Sequence, residues 1–100
     1  MKMDTLGDTL RISSVTQLGE ANAGPFRDWV HQALNDSHKN IEVDLSQTTF
    51  VDSSGLGALV SLHKAAARRA GTLRLVNPRP PVQQILELTR LDGILEIIRR

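Results

Sequence analysis

At 100 residues, with 40% apolar and 23% charged side chains, the chain has the make-up of one globular domain around a single core, and wholesale disorder is excluded. A net charge of +1 gives no broad basic field for direct nucleic-acid contact, and Phe26, Trp29 and Phe50, its only aromatic residues, cannot build a base-stacking platform. There is no cysteine, so disulfides and thiolate chemistry are excluded.

Met1 to Asp8 lacks the hydrophobic stretch of a signal peptide, and no run reaches the roughly 20 apolar residues of a membrane helix. The expectation is a cytoplasmic domain over residues 1–100 without membrane insertion. Residues 2–6 suit an edge strand. After the turn signal Gly7-Asp8, residues 9–15 alternate with apolar Leu10 and Ile12, as a half-buried strand paired with the first would. Thr16 to Gly19 reads as a loop.

From Ala21 to Asn35, Ala23, Phe26, Trp29 or Val30, Ala33 and Leu34 recur at helical spacing. Asn22 is the candidate N-cap, and Pro25 falls in the first turn, where its missing N–H is harmless. A lone Trp on such a face belongs to the core or its edge. Ile41 to Leu45 is a strand, Ser46 to Thr49 a connection, and Phe50-Val51 dips back into the core. Gly55 to Ala70 is a second helix with Leu56, Leu59, Val60, His63 and Ala67 on one face and Gly71 as its C′ residue. Lys64, Arg68 and Arg69 gather near its C-terminal end, where the helix dipole favours cations, so they read as a solvated helix end. His63 has no second ligand at metal spacing and reads as a packed side chain.

Residues 72–76 form a strand, and Asn77 to Pro81 a stiff loop into a third helix with Val82, Ile85, Leu86 and Thr89 on one side. Leu91 to Gly93 turns, and residues 94–98 make the last strand. Strands alternating with helices specify an α/β fold with parallel later strands, a mixed sheet of four to five strands and about three to four helices.

Catalytic parts are missing. The serines precede the glycines in Ser53-Ser54-Gly55-Leu56-Gly57, so there is no nucleophile elbow. The phosphate-binding and dinucleotide-binding glycine loops are both absent. Asp44 and Asp52 have no His or Cys partner in the pattern, so neither a metal site nor a cofactor is expected, and an enzyme is disfavoured. What stands out is Asp52-Ser53-Ser54-Gly55 at a helix start. Asp52, Ser53 or Ser54 can cap the first turn, while an outward hydroxyl can be phosphorylated where free N–H groups tolerate anions. The residue types alone leave both uses open.

Ile41-Glu42-Val43-Asp44-Leu45-Ser46 followed by residues 50–59, Phe-Val-Asp-Ser-Ser-Gly-Leu-Gly-Ala-Leu, resembles the STAS domain in its anti-sigma factor antagonist branch. The likeness continues through Ala70 to Pro78 and Leu86 to Asp92, covering roughly residues 9–98. It implies a single STAS domain in a partner-switching pathway. There, the unmodified antagonist binds an anti-sigma factor that is also a GHKL-type serine kinase. Phosphorylation of the serine after the Asp, here Ser53, separates the pair, and a phosphatase resets it. The implied partner-binding residues are Asp52, Ser53, Ser54, Gly55, Leu56 and Gly57. The family's Gly-Glu-Leu-Asp loop is replaced by Thr16-Gln17-Leu18-Gly19. STAS domains also serve as cytoplasmic subunits of lipid-handling ABC transporters, the alternative reading, although those relatives tend to carry Thr at the acceptor position.

Overall fold

In the computed structural model, which describes residues 1–100, the alternating stretches become the inner strands of a five-stranded sheet. The strands are β1 (Lys2–Leu6), β2 (Thr9–Ser13), β4 (Asn40–Asp44), β6 (Leu73–Val76) and β7 (Glu96–Ile98), arranged β1-β2-β4-β6-β7. β1 and β2 form an antiparallel hairpin, and every later neighbour pair is parallel. Two further strands of two residues, β3 (Gln17–Leu18) and β5 (Phe50–Val51), pair in parallel as a separate small sheet. The helices are α1 (Ala23–Ala33), α2 (Ser53–Arg68) and α3 (Pro80–Leu88), with a 3-10 turn at Leu91–Gly93. The expected mixed sheet and helix number are both present.

Because side chains alternate along a strand, each strand gives one set to the core. Leu10, Ile12, Ile41, Val43, Leu73 and Leu75 join Phe26 and Val30 of α1, Leu59 and Leu62 of α2, and Val82 and Leu86 of α3 in one buried cluster. Trp29 packs at the edge of that cluster, as expected. The parallel inner strands place the start of α2 at one end of the sheet, beside the small β3–β5 sheet.

Several local expectations change. β2 stops at Ser13 because Ser14 turns the chain at a φ of 58°. Val15 is nevertheless buried, its carbonyl accepting a 2.5 Å hydrogen bond from the Thr48 hydroxyl. The loop expected at 16–19 contains β3. The inward face of α2 is Gly55, Ala58, Leu59, Leu62, Ala65 and Ala66, whereas Leu56, Val60 and His63 are only partly covered and Ala67 is exposed. The two faces share only Leu59; the actual one adds Leu62 and is otherwise made of small residues that let α2 approach α1 and the sheet. α3 buries Val82 and Leu86, while Thr89 caps its end by donating to the Ile85 carbonyl at 2.8 Å. Ile94 is exposed and outside β7, because the 3-10 turn carries the chain around before Leu95 is buried.

Asn22 holds the N-cap position of α1 without capping it. Its side chain instead accepts from the Gly19 N–H at 2.9 Å and donates to the Gln17 carbonyl at 2.8 Å, pinning the β3–α1 connection. At the end of α2 the left-handed residue is Ala70, with φ 58°, not Gly71. The Gly71 N–H closes onto the Ala66 carbonyl at 2.9 Å, completing a Schellman turn. Gly71 is needed for a different reason: a Cβ there would lie 1.8 Å from the Lys39 carbonyl oxygen.

Candidate functional site at the start of α2

Parallel pairing sets Gln17 opposite Phe50 and Leu18 opposite Val51. Leu18 and Val51 point into the core, so their neighbours Gln17 and Phe50 point out. The expectation that Phe50-Val51 as a unit dips into the core is therefore half right. Val51 is buried and Phe50 is 51% exposed. The ladder runs on through the Asp52 N–H, which donates to the Leu18 carbonyl at 3.2 Å, and the chain then enters α2.

Asp52 is the N-cap. One carboxylate oxygen accepts from the Gly55 N–H at 3.0 Å and the other from the Glu20 N–H at 3.0 Å. Gly55 and then Glu20, as backbone donors to the ionised form, hold this carboxyl below its ordinary value, so it stays a carboxylate at neutral pH. A single side chain thus caps α2 and ties down the connection between β3 and α1.

With the cap supplied by Asp52, the two serines are released from that duty. Ser53 and Ser54 occupy the first two positions of α2, both exposed and neither hydroxyl bonded to the protein. Capping by Ser54, left open by the residue types, is ruled out by this geometry. Ser54 faces a shallow groove between α1 and α2 shared with Gly24, Arg27 and Gly57. Of the other expected contact residues, Gly57 is exposed with open space around it, and Leu56 is partly buried against the core. Gly55 is corrected: it is buried, and a Cβ on it would lie 2.1 Å from the Leu18 carbonyl oxygen, so it seats α2 against β3 and offers a partner no surface.

The first two turns of the site also use residues outside the expected set. Gly19 lies flat beneath Phe50, where a Cβ would come 2.8 Å from the ring. Glu20 supplies the N–H that holds Asp52. The pairing of the two short segments that brings them together spans more than thirty residues of chain, and no local pattern in either announces it. Asp44 is not part of the site; its carboxylate accepts from the Ser46 N–H at 2.8 Å in its own turn.

The STAS domain family matches residues 1–100, the whole chain. The chain belongs to the STAS domain family. A STAS-domain containing protein of Pseudomonas aeruginosa is 30% identical over 81 residues, 74% of this chain and 80% of that protein. An anti-sigma F factor antagonist of Paenibacillus polymyxa is 30% identical over 59 residues, which are 59% of this chain and half of the relative's length. Among solved structures, a Thermotoga maritima protein provisionally described as an anti-sigma factor antagonist superposes with a TM-score of 0.89 at 29% identity, over 99% of this chain and 85% of that one.

Proposed function

We propose that residues 1–100 act as one STAS domain whose work is that of an anti-sigma factor antagonist. In this reading the unmodified protein binds an anti-sigma factor in the cytoplasm and so frees the sigma factor. The anti-sigma factor is a GHKL-type serine kinase that transfers the γ-phosphoryl group of ATP to the Ser53 Oγ, which loses its proton as ADP leaves. A phosphatase later hydrolyses the ester. The chain is ligand and substrate in this cycle, and catalysis belongs to its partners.

The observation that carries the reading is the division of labour at the start of α2: Asp52 alone caps the helix, leaving the Ser53 hydroxyl exposed and unbonded. Modifying it costs the fold no hydrogen bond. The likeness to antagonists in sequence and in structure supports the same assignment. A phosphate adds about −1.5 to −2 charges beside the Asp52 carboxylate, with Glu20 next to it. Within a docked interface, that charge must be desolvated against like charge. Such juxtapositions cost several kcal/mol, and about 1.4 kcal/mol is a factor of ten in affinity. Asp52, Ser53, Ser54 and Gly57 form the contact surface, with Leu56 at its margin and Gly55 supporting it from beneath.

The test combines the protein with the GHKL-type anti-sigma kinase encoded in the same genome and with magnesium and ATP, and locates phosphate by mass spectrometry. One phosphate is expected, on Ser53. Ser53→Ala abolishes it, Ser54→Ala does not, and Ser53→Glu weakens kinase binding. Phosphate on another residue only, or none with a kinase that binds tightly, overturns the reading.

A further inference from the structure

Beside Asp52 the surface changes character. Phe50 is the one aromatic ring left half exposed, and it stands on backbone that has little freedom. The β3–β5 pairing fixes its Cα opposite Gln17, and the Thr49 N–H donates to the Thr16 carbonyl at 3.0 Å just before it. Gly19 leaves the ring room to lie along the β3–α1 connection, and any side chain at that position would push it away. The ring forms one wall of a shallow depression completed by Gln17, Gly19, Glu20, Asn22 and Asp52. Two carboxylates therefore border it. Asp52 is held ionised by backbone N–H groups, and Glu20 has no cation paired with it.

Resting on the function proposed above, we infer that Phe50 is the apolar anchor of the complex and that the depression beside it receives a basic side chain of the anti-sigma factor. A rigidly mounted aromatic ring next to a charged rim has the make-up of an interface hot spot, burying a large area at small entropic cost. The carboxylates select the sign of what docks beside it: an arginine or lysine meets Asp52 and Glu20 as counter-ions and the ring as an apolar or cation–π neighbour. The partner surface that fits is an apolar socket flanked by a cation. Because Ser53 follows Phe50 by only three positions, anchoring the ring also delivers the hydroxyl to the kinase.

The experiment measures the affinity of the whole chain for the same kinase by calorimetry, at two salt concentrations, for the wild type, Phe50→Ala, Phe50→Leu, Gly19→Ala and Glu20→Gln. Phe50→Ala is expected to weaken binding at least tenfold with an unchanged circular-dichroism melt, since the ring contributes little to the core. Phe50→Leu retains part of the affinity. Gly19→Ala, which keeps the ring but displaces it, weakens binding severalfold. Glu20→Gln reduces the salt dependence and raises the Kd. Steady-state phosphorylation of Phe50→Ala shows a raised KM with kcat within about twofold. Wild-type binding with Phe50→Ala and Gly19→Ala both within twofold of it overturns the anchor and leaves the antagonist function standing. Absence of wild-type binding overturns both. Self-association of the free chain that Phe50→Ala abolishes, seen by sedimentation, would assign this face to a second copy and overturn the anchor.

Discussion

Asp52 satisfies two backbone donors from different parts of the chain, Gly55 at the first turn of α2 and Glu20 at the approach to α1. Both bonds favour the ionised carboxyl, so its folded value lies below the ordinary 3.8. A group whose value is depressed by folding contributes stability above its unfolded value and loses it as pH falls through the folded one. The contribution from Asp52 is therefore complete at neutral pH and decays below about pH 4. Asn caps helices about as well as Asp and carries no charge, but its one acceptor oxygen can serve Gly55 or Glu20 and not both. Asp52→Asn should therefore lower the melting temperature at pH 7 by less than Asp52→Ala does, and it should flatten the acid limb of the melting curve below pH 4. Asp52→Ala, which removes both acceptors, should lower the melting temperature across the whole range. Thermal melts from pH 2.5 to 7 check both, and an acid limb identical in wild type and Asp52→Asn would assign that stability elsewhere.

At the scale of elements, the end of α2 divides two tasks between adjacent residues. Ala70 takes the left-handed conformation that completes the Schellman turn, and Gly71 admits the Lys39 carbonyl. An L-residue with a Cβ is strained in the left-handed region by about 1–2 kcal/mol, part of which glycine recovers against its greater freedom when unfolded. Ala70→Gly should accordingly stabilise the protein by about 0.5–1 kcal/mol. Gly71→Ala forces backbone apart and should cost about 1–3 kcal/mol. Urea unfolding of the two variants separates the roles, because a conventional glycine C′ at position 71 would make the first change neutral. This pair also shows what could be read in advance. The composition signal of a helix end was correct to one residue, but which residue bears the positive φ depends on where the last carbonyls lie. Period-two alternation located β2, β4 and β6 because each has one buried face and one charged face. β3 and β5 are two residues long, too short for any period, and only their pairing across the fold makes them strands. Four of the six inward residues of α2, Gly55, Ala58, Ala65 and Ala66, contribute by being small and so escape hydrophobic periodicity, which weights size, whereas Leu62 is bulky and fits no such account. Asp52 and Ser53 are legible because the cap position is local chemistry, the Gly55 N–H lying three residues on; the second bond of Asp52 is not, since its donor is the Glu20 N–H, thirty-two residues away.

Across the whole molecule, the sheet face turned away from the core carries one continuous row of charges. The register sets Asp4 beside Arg11, Arg11 beside Glu42, Glu42 beside Arg74 and Arg74 beside Glu96, so the sign alternates through all five strands. Opposite charges on directly paired residues stabilise a sheet, and a charged face also resists stray association. The rungs are not equal. Asp4 and Arg11 meet at 3.0 Å in the open, where water screens them. Glu42 is 7% exposed at the middle of the sheet, and the Arg100 guanidinium closes on it with two bonds, at 2.7 and 3.1 Å. Arg99 braces the same segment by donating to the Pro78 carbonyl and to Gln83, and the Arg100 N–H donates to Asn77. Removing one partner of a covered ion pair leaves the other charge uncompensated, which harms the fold more than the pair itself helped it. Arg100→Ala should thus lower the urea midpoint clearly, and Asp4→Ala should leave it unmoved. Adding Glu42→Gln to Arg100→Ala should restore part of the loss, because a neutral amide at position 42 no longer needs a cation. A double variant less stable than Arg100→Ala alone would mean that Arg11 and Arg74 already satisfy Glu42, and that Arg100 acts only by holding the segment after β7 in place.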